Sequence, residues 1–137
     1  MEKIKLNIDN SEEKSLPSNL EAEQALIGSV LVNNDIIDEI SSIVSSHKFF
    51  DPGHRKIYET IESLNNKGMI ANPITLKNYF ETNSGLAEVG GVDYLVKLTR
   101  FSSSIKQTID YAKIIHEMYV RRELIIISEN VSEESKD

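Results

Sequence analysis

The sequence predicts an all-α protein: a compact bundle of about six short helices followed by one longer C-terminal helix. Three observations carry this reading. Apolar residues recur at spacings of three and four along most of the chain. Two dipeptides, Asp51-Pro52 and Asn72-Pro73, stand directly before such stripes and read as helix openings. No stretch alternates apolar and polar residues convincingly enough for a strand.

The first helix opens within Pro17-Ser18-Asn19-Leu20-Glu21, where Ser18 and Glu21 have the spacing of a capping box. Leu20, Ala22, Ala25, Leu26, Ile27, Val30 and Leu31 supply its apolar face. Asn33-Asn34-Asp35 is a turn, with Asp35 placed to cap a second short helix carrying Ile36, Ile37, Ile40, Ile43 and Val44. At the third helix Asp51 supplies a capping carboxylate, and Pro52 takes a position where no amide is needed. Ile57, Tyr58, Ile61 and Leu64 form its buried stripe, and Gly68 ends it in a left-handed conformation. Asn72-Pro73 opens a fourth helix through Ile74, Leu76, Tyr79 and Phe80, closed by Gly85. Gly90-Gly91 breaks the chain before a short helix around Tyr94, Leu95 and Leu98, and Ser102 to Ser104 form the next turn.

The last helix is of another kind. From Ile105, the charged residues Lys106, Asp110, Lys113, Glu117 and Arg121 fall on one narrow stripe, and almost all the remainder is apolar. An amphipathic surface helix needs an apolar arc of about 100°, and this arc is near twice that. A central place in the bundle would cover it. Its terminal position and length favour an external partner instead, met through the side bearing Tyr111, Ile115, Met118, Tyr119 and Arg122. The domain boundaries expected are a mobile leader over residues 1–15, a globular helical domain over 16–104, the long helix over 105–130 and a polar end over 131–137.

Composition narrows the function. The 137 residues suit one compact domain with an ordinary apolar fraction of 39%. A net charge of -7 opposes stand-alone binding of nucleic acid, which needs clustered Lys and Arg. The absence of cysteine removes disulfides, thiol catalysis and thiolate metal sites. His47, His54 and His116 have no metal-ligand spacing, and no apolar run can span a bilayer, so the expected place is the cytoplasm. No phosphate-cradling loop, zinc-protease motif or nucleophile elbow occurs. Glu21 and Glu23 diverge on their helix, and His54, beside Asp51, reads as a structural hydrogen-bonding residue. No catalytic, cofactor-binding or metal-ligating residue is expected.

The wording Pro17-x-Asn-Leu-Glu-Ala-Glu-Gln-Ala-Leu-Ile-Gly28 resembles the start of the N-terminal domain of DnaB-type replicative DNA helicases. Four further pieces follow in that family's order: Phe49-Phe50 with His54-x-x-Ile57-Tyr58; Ile74-Thr75-Leu76; Val89-Gly-Gly-Val-Asp-Tyr-Leu95; and Tyr111-Ala112-Lys-Ile-Ile115 with Arg122-Glu-Leu-Ile125. The resemblance runs from about Leu16 to Asn130. It departs at Asn72, where the family usually has Asp, and at Gln107, where the family tends to have Asn.

The resemblance implies a non-catalytic collar domain of a hexameric helicase, whose subunits pair through a helical hairpin and which recruits primase. The long helix would be the first arm of that hairpin, truncated here. The parent protein would be an ATP-dependent 5'-3' helicase, using ATP and magnesium in a separate ATPase domain that also contacts DNA. Two other readings stand beside it: the helicase-binding C-terminal domain of a primase, and an unrelated small all-α enzyme.

Overall fold

The computed structural model describes residues 16–83 and 85–136, with side chains described as far as Val131. The expected leader over residues 1–15 lies outside them. Among the described residues six α-helices follow one another: α1 (Leu20–Val32), α2 (Ile36–Ile40), α3 (Pro52–Asn66), α4 (Pro73–Asn83), α5 (Gly91–Thr99) and α6 (Ile105–Lys136), with a 3-10 turn at Ser46–Lys48. Among the described residues there is no strand, so the fold is all-α, as the spacing of its apolar residues predicts.

α1 is the centre of the bundle, not one amphipathic layer of it. From Ala22 to Leu31 every residue except Gln24 is buried, and α2, α3, α5 and α6 all pack against it. Its cap differs from the expected one. Asn19, not Ser18, is the N-cap, its Oδ1 accepting from the Ala22 amide at 2.9 Å. Asn caps as well as Ser does, and this register places Glu21 and Glu23 in the first turn, where the helix dipole favours them.

α2 also starts differently. Asp35 is already helical in backbone conformation and makes no capping bond. Asn33 acts instead, its Oδ1 accepting from the Asp35 amide at 3.1 Å. The neighbouring Asn34 spans to the loop before α4, accepting from the Ala71 amide and donating to the Ala71 carbonyl at 2.8 and 2.9 Å.

α3 and α4 open as their Asx-Pro pairs predict. Asp51 Oδ1 accepts from the His54 amide at 3.1 Å, and Asn72 Oδ1 from the Thr75 amide at 3.0 Å. Thr75 Oγ1 accepts in return from the Asn72 amide at 2.9 Å, completing a reciprocal cap. Alanine at either Asp51 or Asn72 should lower the unfolding free energy by about 1 kcal/mol. Urea unfolding checks this, and unchanged midpoints in both variants would place the helix starts elsewhere.

The stripe Ile57, Tyr58, Ile61 and Leu64 is buried, each aliphatic member contributing about 1.5–3 kcal/mol by leaving water. Gly68 ends α3 at φ +74°. In α4, Leu76 and Phe80 enter the core but Ile74 is 77% exposed. Two residues along a helix rotate by about 200°, so Ile74 and Leu76 cannot share a face.

α6 opens on a capping box between Ser104 and Gln107. Ser104 Oγ accepts from the Gln107 amide at 3.2 Å, while Gln107 Oε1 faces the Ser104 amide at 3.4 Å. Gln107 thus serves the turn itself. The helix continues to Lys136, past the expected end at Asn130, and residues 131–136 contain no Gly or Pro to stop it.

Candidate functional site

α6 leaves the domain as it proceeds. Thr108, Ala112, Ile115 and Arg122, at spacings of four, three and seven, form its inward face toward α1, α2 and the 3-10 turn. From Glu123 to Val131 only Ile125 is even half-buried. Val120, Leu124, Ile127 and Val131 are 39%, 61%, 55% and 59% exposed. Their spacings of four, three and four align them in one apolar seam of the kind that packs against another helix. The stripe of Lys106, Asp110, Lys113, Glu117 and Arg121 lies in solvent, with Arg121 Nη2 donating to Glu117 Oε1 at 2.7 Å. Such an exposed pair adds little stability.

The five residues singled out from the sequence do not form one outer patch. Ile115 is 2% exposed and belongs to the core, against which Tyr111 packs. Met118 and Tyr119 are half-buried, the Tyr119 ring edge-on to His47 with centroids 5.3 Å apart. Arg122 is 7% exposed; its two terminal nitrogens donate to the Pro17 and Lys48 carbonyls, each at 2.7 Å, and its guanidinium lies 5.2 Å from the centre of the Phe50 ring. Pattern alone could not separate the inward half of the apolar arc from the outward half, since both are Ile, Val and Leu.

Glu23 diverges from Glu21, as their spacing on the helix predicts, and it is the one that turns inward. It is 1% exposed and collects three donors: the Phe50 amide at 2.7 Å, the Asp51 amide at 3.3 Å and His54 Nδ1 at 2.8 Å. The other ring nitrogen of His54 meets the Tyr94 hydroxyl, which also accepts from Gln24 Nε2 at 3.2 Å. Burial, above all, raises the Tyr94 pKa. A carboxylate, an imidazole and a hydroxyl in line resemble a catalytic relay. Here both ring nitrogens are occupied by protein partners, and the arrangement ties α1, α3 and α5 together. The available signal was a glutamate set among Ala22, Ala25, Leu26 and Ile27 on a helix apolar all round.

Among the described residues no group of three or more His, Asp or Glu could hold a metal ion, and no helix is long and apolar enough to cross a membrane.

Comparison with known proteins follows the same lines. The family model described as DnaB-like helicase N-terminal domain matches residues 15–117. The replicative DNA helicase DnaB of Rickettsia typhi is 42% identical over 126 residues, covering 91% of this chain and 25% of that protein. The DnaB of Buchnera aphidicola is 33% identical over 135 residues, covering 97% of this chain and 29% of its own length. The chain therefore spans little more than a quarter of these relatives. Among solved structures, the N-terminal domain of DnaB helicase from Mycobacterium tuberculosis superposes with a TM-score of 0.85 at 25% identity, covering 90% of this chain and 89% of that one. A DnaB-like replicative helicase, described with its interactions with primase, superposes with a TM-score of 0.74 at 25% identity, covering 86% of this chain and 28% of its own.

Proposed function

This chain belongs to the DnaB-like helicase N-terminal domain family, and from that premise we propose that it serves as a non-catalytic collar domain of a hexameric replicative helicase. In this role it pairs subunits and recruits primase in the cytoplasm. The parent helicase hydrolyses ATP with magnesium and grips DNA through a separate domain. The observation that carries the reading is the apolar seam Val120, Leu124, Ile127 and Val131, which the rest of the domain leaves uncovered. A helix partner buries such a seam by inserting its own apolar side chains between these four. Of the five residues first singled out, Tyr111, Met118 and Tyr119 are only half-buried and can contribute to the contact, while Ile115 and Arg122 brace the helix from within. The primase contact rests on likeness to the relative described with its interactions with primase.

The test lies in the seam, because an aspartate at Ile115 would unfold the core before it reported on pairing. Leu124→Asp with Ile127→Asp should leave the urea midpoint within the spread of surface substitutions, about 0.5 kcal/mol. Sedimentation velocity at rising concentration should show weak dimerisation of the parent chain and none of the variant. Titration with primase should weaken in the same variant. A variant that stays folded and still pairs as its parent does would remove the seam from the interface.

A further inference from the structure

A groove of about 400 Å³ runs between the end of α3 and α4, with Leu64, Met69, Ile74 and Tyr79 as its apolar walls. Met69, Ile70 and Ile74 are 50%, 68% and 77% exposed, an apolar patch that the packing of α4 on α3 and α5 leaves uncovered. The seam on α6 takes no part in it. A second cavity, of about 250 Å³, adjoins the groove through Tyr79 and Asn83, which line both. Its α3 wall is polar: Lys56, Glu59, Thr60 and Ser63. The two make one channel along α3, polar toward the start of the helix and apolar toward its end.

The chain itself carries a segment of matching order. Counting back from Leu16, residues 15 to 9 are all polar, and Ile8, Leu6 and Ile4 then alternate with polar residues. Three positions are too few for a strand of their own. In an extended chain, however, alternate side chains point to one side, so the three can meet one surface. The reach fits as well. Leu16 lines a cavity together with Arg55 at the start of α3, and the next carbonyl, that of Pro17, is held by Arg122. From Arg55 to Lys67, which lines the groove, α3 rises about 18 Å and turns by about 120°, roughly 20 Å over its surface. The eight steps from Leu16 to Ile8 span about 26 Å when extended. From Ile8 to Ile4 is about 13 Å more, which matches the rise of α4 between Asn83 and Ile74.

We propose that residues 4–8 of this chain occupy its own groove between α3 and α4. Ile4, Leu6 and Ile8 lie against Met69, Ile74 and Tyr79, and the polar stretch 9–15 follows the polar part of the channel. The tether selects this occupant over a free one: a linker of seven residues holds the segment at an effective concentration on the order of millimolar. Docking takes both sets of apolar side chains out of water.

The chain has no cysteine, so Asn7→Cys gives a single site for a nitroxide, on the opposite side of the segment from Leu6. In amide NMR spectra of the full chain the label should erase the Met69, Ile74 and Asn78 signals, and reducing the nitroxide should restore them. Adding Leu6→Asp should restore them with the nitroxide still active. Ile74→Asp should do the same for Met69 and Asn78, with the urea midpoint inside the spread of surface substitutions, since Ile74 is 77% exposed. Isotope-labelled chain mixed with unlabelled, nitroxide-bearing chain should lose no signal. Undiminished signals in the labelled chain would overturn the proposal, as would a loss that survives Leu6→Asp or one seen equally between chains. The α6 seam is untouched by these changes, so failure here leaves the collar reading standing.

Discussion

Replacing Glu23 by alanine is expected to lower the unfolding free energy by about 3–5 kcal/mol, the range for removing one member of a buried pair. Three donors lose their acceptor at once: the Phe50 and Asp51 amides and His54 Nδ1. Each buried donor left unmade costs about 1–3 kcal/mol, and no water can reach a site where Glu23 and His54 are 1% and 2% exposed. Glu23→Gln separates shape from charge. It keeps one oxygen but turns an NH₂ group toward either the Phe50 amide or the other two donors, so about 2 kcal/mol should still be lost. Urea unfolding followed by circular dichroism measures both. A Glu23→Ala protein within about 1 kcal/mol of its parent would mean that the three bonds contribute little beyond packing.

Gly28→Ala is expected to cost about 3 kcal/mol or to prevent folding, although α1 is helical there and alanine is the better helix former by about 1 kcal/mol. A Cβ at position 28 would stand 1.9 Å from the Leu98 carbonyl oxygen and 2.9 Å from its carbon. Both are backbone atoms, so no rotamer change relieves the clash, and α5 would have to move away from α1. The local gain is smaller than the packing loss, which settles the sign. A thermal midpoint equal to or above that of the parent chain would show that the two helices do not meet through their backbones at this point.

Much of the architecture was legible from local chemistry. Asp51-Pro52 and Asn72-Pro73 mark helix starts because an Asx oxygen and a proline without an amide satisfy the same end of a helix from within a few residues. The stripe from Ile57 to Leu64 and the left-handed Gly68 are equally local. The motifs from Pro17 to Ile125 pointed to the helicase N-terminal domain family in the same way, because their order along the chain is itself sequence. What the tertiary structure alone decided concerns residues whose partners are distant in sequence. Glu23 reads only as one of two diverging carboxylates until Phe50, Asp51 and His54 are brought to it from about 30 positions away. Arg122 reads as part of an outer face until the Pro17 and Lys48 carbonyls claim it. Apolar periodicity told that α6 has too much hydrophobic surface for one contact. Which of its Ile, Val and Leu residues face inward depended on where α1 lies, because the hydrophobic effect has no direction of its own and burial goes to whichever side another element covers.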